Sequence, residues 1–205
     1  FETAQSDGER WRFAMAMAAE MAPQNTPIVK LQLASFLQQQ FDVRSMAGYG
    51  RIGGDDDKDE SGPFAVSSLG EDETIARLAT GIKRFKLPNE FNFITIFQQV
   101  AAEYKGQRYG QQALEALAQT FEDRQQYPKA AEYWKRSIAE NGIVNGHNKQ
   151  RLEQIVGNWG QFEAVMTQPA GKNASVDYRF RNANKVSFTA REVEMKKLLD
   201  DVKGY

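Results

Sequence analysis

At 205 residues, with 26 basic against 27 acidic side chains and a net charge of −1, the chain can hold one large domain or two small ones around a substantial core. That balance leaves no global field to hold nucleic acid or an anionic membrane, and no apolar run approaches the roughly 20 residues that cross a bilayer. Cysteine is absent, which removes disulfides, thiolate metal sites and cysteine nucleophiles together. The chain opens on Phe1 with neither an initiator methionine nor a signal-peptide pattern, and so reads as a piece of something longer.

The first third reads as a helix pair. Trp11, Met15, Ala18 and Ala19 recur at helical spacing. Pro23 and Pro27 bracket a break, with Thr26 expected as N-cap and Pro27 in the first turn of a second helix. That helix carries Leu33, Phe36, Leu37 and Phe41 along one stripe.

Between Arg44 and Asp72 the periodicity collapses. Glycines at 48, 50, 53, 54 and 62 surround the acidic run 55–60, and the segment 48–70 is expected to be a mobile surface loop. Asp55, Asp57 and Asp59 alternate as in a calcium loop, but Glu60 stands where the glycine is required and Val66 where the closing glutamate is required. The test for a calcium site fails.

A helix is expected from Glu71, Asp72 and Glu73, three acids favourable at a helix N-terminus. Ile75, Leu78, Ala79 and Ile82 would form its apolar face, and Lys83, Arg84 and Lys86 would sit at its C-terminal end rather than form a nucleic-acid patch. After Pro88, the residues Phe93, Ile96, Phe97, Val100, Ala101 and Tyr104 mark a further helix.

The most informative stretch runs from Ala113 to Gly142. One helix places Leu114, Leu117, Ala118 and Phe121 on a face, and the next places Tyr127, Ala130, Trp134 and Ile138 on a face. Small residues where two helices must approach, with aromatics one turn away, are the physical content of a tetratricopeptide-like hairpin, a pair of about 34 residues that stacks on its neighbours. Ser137 and Gly142 depart from the usual ending of that motif. The alternative is an ordinary antiparallel helix pair. Both readings point to scaffolding or binding rather than chemistry.

A short helix is expected over 149–156, and the period then changes near Trp159. Val176, Tyr178 and Phe180 alternate, as do Val186 and Phe188, so that 175–181 and 185–190 are expected to pair as an antiparallel hairpin. Residues 162–167 could add a third strand, and a helix over 192–202 closes the chain. The expected class is therefore mainly α. Stacked antiparallel hairpins over 1–157 are followed by a small β-plus-helix module over 158–205.

Candidates for chemistry are few. His147 is the single histidine and lies in a Gly/Asn-rich turn with no triad partner placed by any motif. The glycines at 48–54 are not followed by Lys-Ser or Lys-Thr, so no phosphate loop is present. The glutamines at 38–40 and 98–99 read as solvated helix faces. The expectation is no catalytic residue, no cofactor and no metal.

The segments 152–163 (LEQIVGNWGQFE), 167–171 (TQPAG), 178–182 (YRFRN), 186–190 (VSFTA) and 197–205 (KLLDDVKGY) are similar to the N-terminal region of large bacterial α-2-macroglobulin-like proteins of planctomycete type. The stretch 73–88 fits the same resemblance. It implies tetratricopeptide-like helices ahead of macroglobulin-type β domains, and an exported protein of the periplasm or cell envelope. It also implies membership of a protease-trapping family. Many members of that family carry a Cys-Gln thioester, which cannot lie in a chain without cysteine, and no functional residue carries over. The expected partners are proteins or other domains of the same polypeptide, without nucleic acid or membrane insertion. The expected function is a non-catalytic scaffold region, with a free-standing peptide-binding adaptor as the alternative.

Overall fold

The computed structural model describes residues 2–49, 64–143, 146–169, 171–191 and 194–204. The chain divides into two compact units, Phe1–Val156 and Gly157–Tyr205. Among the described residues it is mainly helical, with seven α-helices and two small antiparallel sheets.

The first unit opens with α1 (Asp7–Met21) and α2 (Thr26–Phe41). Ser6 caps α1 by accepting the Glu9 amide, and the Glu9 carboxylate reaches back to the amide of Gln5 at 2.7 Å, so two end groups are satisfied together. Thr26 is itself helical (φ −49°, ψ −46°), so α2 starts one residue earlier than expected and Asn25 precedes it. Helix α1 lies on α2 through Trp11 and Phe36, whose ring centroids are 4.8 Å apart.

The expected helix at 71–82 is a β-hairpin instead. Strand β1 (Glu73–Leu78) pairs with β2 (Gly81–Lys86), from Glu73↔Lys86 to Leu78↔Gly81. Ala79 and Thr80 make the turn, and Gly81 follows at φ +108°, a conformation open to glycine. Thr74, Ile75 and Ala76 are buried in succession, so this strand is covered on both faces. Two β-branched residues there outweigh a chance helical spacing of Ile75, Leu78, Ala79 and Ile82. Lys83, Arg84 and Lys86 accordingly lie along a strand rather than at a helix end. Arg84 meets Glu73 at 2.6 Å and Lys86 meets Asp72 at 2.7 Å.

The expected loop at 48–70 is only partly testable. Residues 50–63, including the rejected calcium motif 55–60, lie outside the described residues. Its last part is packed. Val66 and Leu69 are buried with Val43, Met46 and Ile75 in a small second core beneath the hairpin, and Arg84 donates to the Ser68 hydroxyl and carbonyl at 2.9 Å each.

Four helices follow: α3 (Phe93–Glu103), α4 (Arg108–Asp123), α5 (Tyr127–Asn141) and α6 (His147–Val156). Asn92 caps α3 through the Thr95 amide at 3.2 Å, and Pro128 pre-sets the first turn of α5. From α1 to α6 each helix packs chiefly on the next in sequence, and β1–β2 is inserted between α2 and α3. One core runs through the stack, with Ala34 and Leu37 from α2, Phe93, Phe97 and Val100 from α3, and Leu114, Leu117 and Phe121 from α4.

The second unit differs from expectation in its pairing. Strand β4 (Tyr178–Arg181) pairs with β3 (Trp159–Phe162), Trp159↔Arg181 to Phe162↔Tyr178, and 185–190 is not a strand. The third strand expected at 162–167 is displaced to 159–162. Phe188 still packs its ring on Tyr178 (5.0 Å) and Phe162 (5.8 Å), so its alternating neighbours mark extended chain laid on the sheet, not a ladder. Helix α7 (Met195–Lys203) ends the described chain; residues 192 and 193 of the expected helix lie outside the described residues.

Candidate functional site

The α4–α5 hairpin is the frame of the candidate site. Of the residues singled out for repeat packing, Leu114, Leu117, Ala118, Phe121 and Ala130 are fully buried and Trp134 nearly so. Tyr127 is different: at the first position of α5 it is half exposed rather than buried in the seam. Small Ala118 and Ala130 allow close approach of two helices, and the ring of Phe121 stacks face to face on Tyr133 at 5.4 Å.

Three helices are locked by one carboxylate. Glu122 of α4 accepts from the indole Nε1 of Trp134 in α5 at 2.6 Å and also pairs with the Arg151 guanidinium of α6. His147 lies edge-on to the same indole at 5.7 Å, at the exposed start of α6. Its role here is ring packing.

A second lock joins the helices to the β-hairpin. Arg124, immediately after α4, is completely buried and donates to the carbonyls of Gly70 (2.9 Å) and Glu73 (3.0 Å). Burial pulls its pKa down, while the charges of Asp42, Glu71 and Glu73 hold it up. Asp42, also buried, is pushed up to about 6, chiefly by loss of water. The Arg44 amide (3.0 Å), Arg124 and Arg44 favour its charged form, and Asp123 opposes it. Gln126 completes the join by donating to the Leu69 carbonyl at 2.7 Å.

Away from these locks, a groove lies between α2 and α4. It has a volume of about 340 Å³, an apolar floor of Ile28, Leu31, Phe36 and Tyr109, and a polar rim of Gln32, Ser35, Gln39 and Gln112. Each carboxamide offers donors and an acceptor, the complement of a peptide backbone, and the floor suits an apolar side chain. On the other side of Phe36, α1 and α2 enclose a more apolar cavity of about 500 Å³ with Trp11, Phe41 and Phe91. Arg12 lies over the Phe91 ring at 5.0 Å.

Neither the groove nor the burial of the Arg124 and Asp42 charges is announced by the sequence. The expectation of solvated faces for the α2 glutamines does not distinguish Gln39, which lines the groove; the recurrence of glutamine on the α2 and α4 faces that meet is the available signal. Among the described residues no group of three or more His, Asp or Glu side chains is arranged to hold a metal ion. No helix among them is long and apolar enough to cross a membrane. Protein-family models, curated proteins and solved structures were all compared with the chain, and none matches it.

Proposed function

We propose that this chain is a non-catalytic scaffold and protein-interaction region, whose helical unit holds an extended segment of a protein partner in the groove between α2 and α4. The observation that carries this reading is the stacking of helices each on the next in chain order, with a glutamine-rimmed groove left open between α2 and α4. In stacked-hairpin proteins the buried faces build the stack and the remaining inner face is free for ligand. The partner is a protein or another domain of the same polypeptide. The resemblance of 152–205 and 73–88 to α-2-macroglobulin-like proteins supports placing the region within a larger exported envelope protein of that kind.

The test is capture of partners from the source cell envelope by the immobilised chain, compared with a Gln32→Ala/Gln39→Ala/Gln112→Ala variant of exposed groove residues. Those side chains line the groove and do not belong to the locks described above, so the variant should keep its melting temperature and lose the partner. Equal capture by both forms would remove the groove from the account. A parent reading frame that encodes no macroglobulin-type β domains would overturn the family placement without touching the groove.

A further inference from the structure

Helix α7 has no buried residue, yet Met195, Leu198, Leu199 and Val202 form one continuous apolar stripe at the i, i+3, i+4, i+7 spacing of a helix that packs. Leu198 and Leu199 are about half exposed (48% and 52%), and Val202 is two-thirds exposed. The order of residues along this helix says what covers the stripe. Reading outward from the midpoint between Leu198 and Leu199, the sequence Met-Lys-Lys-Leu and Leu-Asp-Asp-Val mirrors itself in polarity and inverts in charge.

We propose that α7 docks antiparallel against α7 of a second copy of this chain. A two-fold axis at the Leu198–Leu199 midpoint sets Leu198 against the second copy's Leu199 and Met195 against its Val202. The same operation brings Lys196 and Lys197 level with Asp200 and Asp201 of the other copy. A parallel pairing in register would instead set lysines beside lysines and aspartates beside aspartates, which is repulsive. The charge order thus selects both the partner and its direction.

The stripe is short. Nine residues rise about 13 Å, and the area such a pair covers falls below the roughly 1,200 Å² of a stable interface. The dimer is therefore weak, formed at high local concentration and sensitive to salt.

Sedimentation equilibrium of the 205-residue chain, from micromolar to millimolar at low salt, tests this. The weight-average mass should rise from 23.2 kDa toward twice that value. A Leu198→Glu/Leu199→Glu variant should weaken association by more than about tenfold. Lys196→Asp/Lys197→Asp and Asp200→Lys/Asp201→Lys variants should each be monomeric alone and associate when mixed. Because the chain has no cysteine, direction can be read by disulfide trapping. Met195→Cys and Val202→Cys proteins should cross-link when mixed, and neither should do so alone. A wild-type chain that stays monomeric throughout overturns the proposal, as do charge variants that fail to recover on mixing and cysteine variants that cross-link by themselves. A monomer that instead co-sediments with phosphatidylserine-containing vesicles through α7 would assign the stripe to a membrane surface and equally overturn it.

Discussion

Arg124 donates to the carbonyl of Glu73 at 3.0 Å, joining the end of α4 to the first residue of β1, 51 positions apart in sequence. Both groups are backbone-fixed or fully buried, so this contact helps to tie the β-hairpin, with its own small core, to the helical stack.

Replacing Arg124 with methionine keeps much of the volume and removes the two donors. The Gly70 and Glu73 carbonyls then lose those donors, and Asp42 loses the buried positive charge of Arg124 that favours its charged form. Loss of one member of a buried ionic network costs about 3 to 5 kcal/mol. Arg124→Met should lower stability by about 3 kcal/mol in urea denaturation, and Arg124→Lys should not restore it, because one ammonium cannot reproduce the guanidinium fork.

Asp42 gives the fold a pH signature. Its folded pKa, about 6, lies above the ordinary carboxylate value, so the folded state holds a proton that the unfolded state releases between about pH 4 and 6. The sign follows: this group's contribution to stability grows as pH falls through 6 and is lost as pH rises. Charges facing it come from Asp123, Arg124 and Arg44. Between pH 6.5 and 4.5 the wild type should gain about 2 kcal/mol relative to Asp42→Asn, which keeps an acceptor for the Arg44 amide. Parallel stability curves for the two proteins would contradict this.

Gly110 tests the closeness of α3 to α4. A Cβ there would lie 2.2 Å from the Tyr104 carbonyl oxygen, a backbone atom that cannot swing aside. In an open helix, glycine to alanine gains about 1 kcal/mol. Here the sign reverses, and Gly110→Ala should destabilise by about 2 kcal/mol.

Trp134 fills the seam between α4, α5 and α6 and donates to Glu122. Trp134→Ala should cost about 4 kcal/mol through the cavity and the loss of one of the two partners of the Glu122 carboxylate, Arg151 remaining. Trp134→Phe should cost about half of that, since the ring volume is largely kept. Thermal unfolding followed by far-ultraviolet circular dichroism checks both.

The helices were legible because their stripes, such as Leu114, Leu117 and Phe121, follow the helical period and face a single core. The hairpin at 73–86 was not. Burial of Thr74, Ile75 and Ala76 on both faces erases the alternation that announces a strand, and the residues left over mimic a helix. In the second unit the extended character of 178–190 was readable, but its partner was not. In that pairing the Tyr178 ring lies against Gly160, a closeness that exists only in space and leaves no periodic mark in the sequence. Of the candidate site, the hydrophobic seam was written in the sequence. The groove was not, because a glutamine that lines a cleft and one that faces water look alike in a single chain.

The proposed partner surface is the α2–α4 groove. Site-specific photo-cross-linking in the source envelope extract tests it most directly, with the reactive group placed at position 39 in the groove or at position 132 on the exposed face of α5. A discrete protein adduct should form from position 39 and none from position 132. Adducts from position 132 alone, or equally from both, would contradict it.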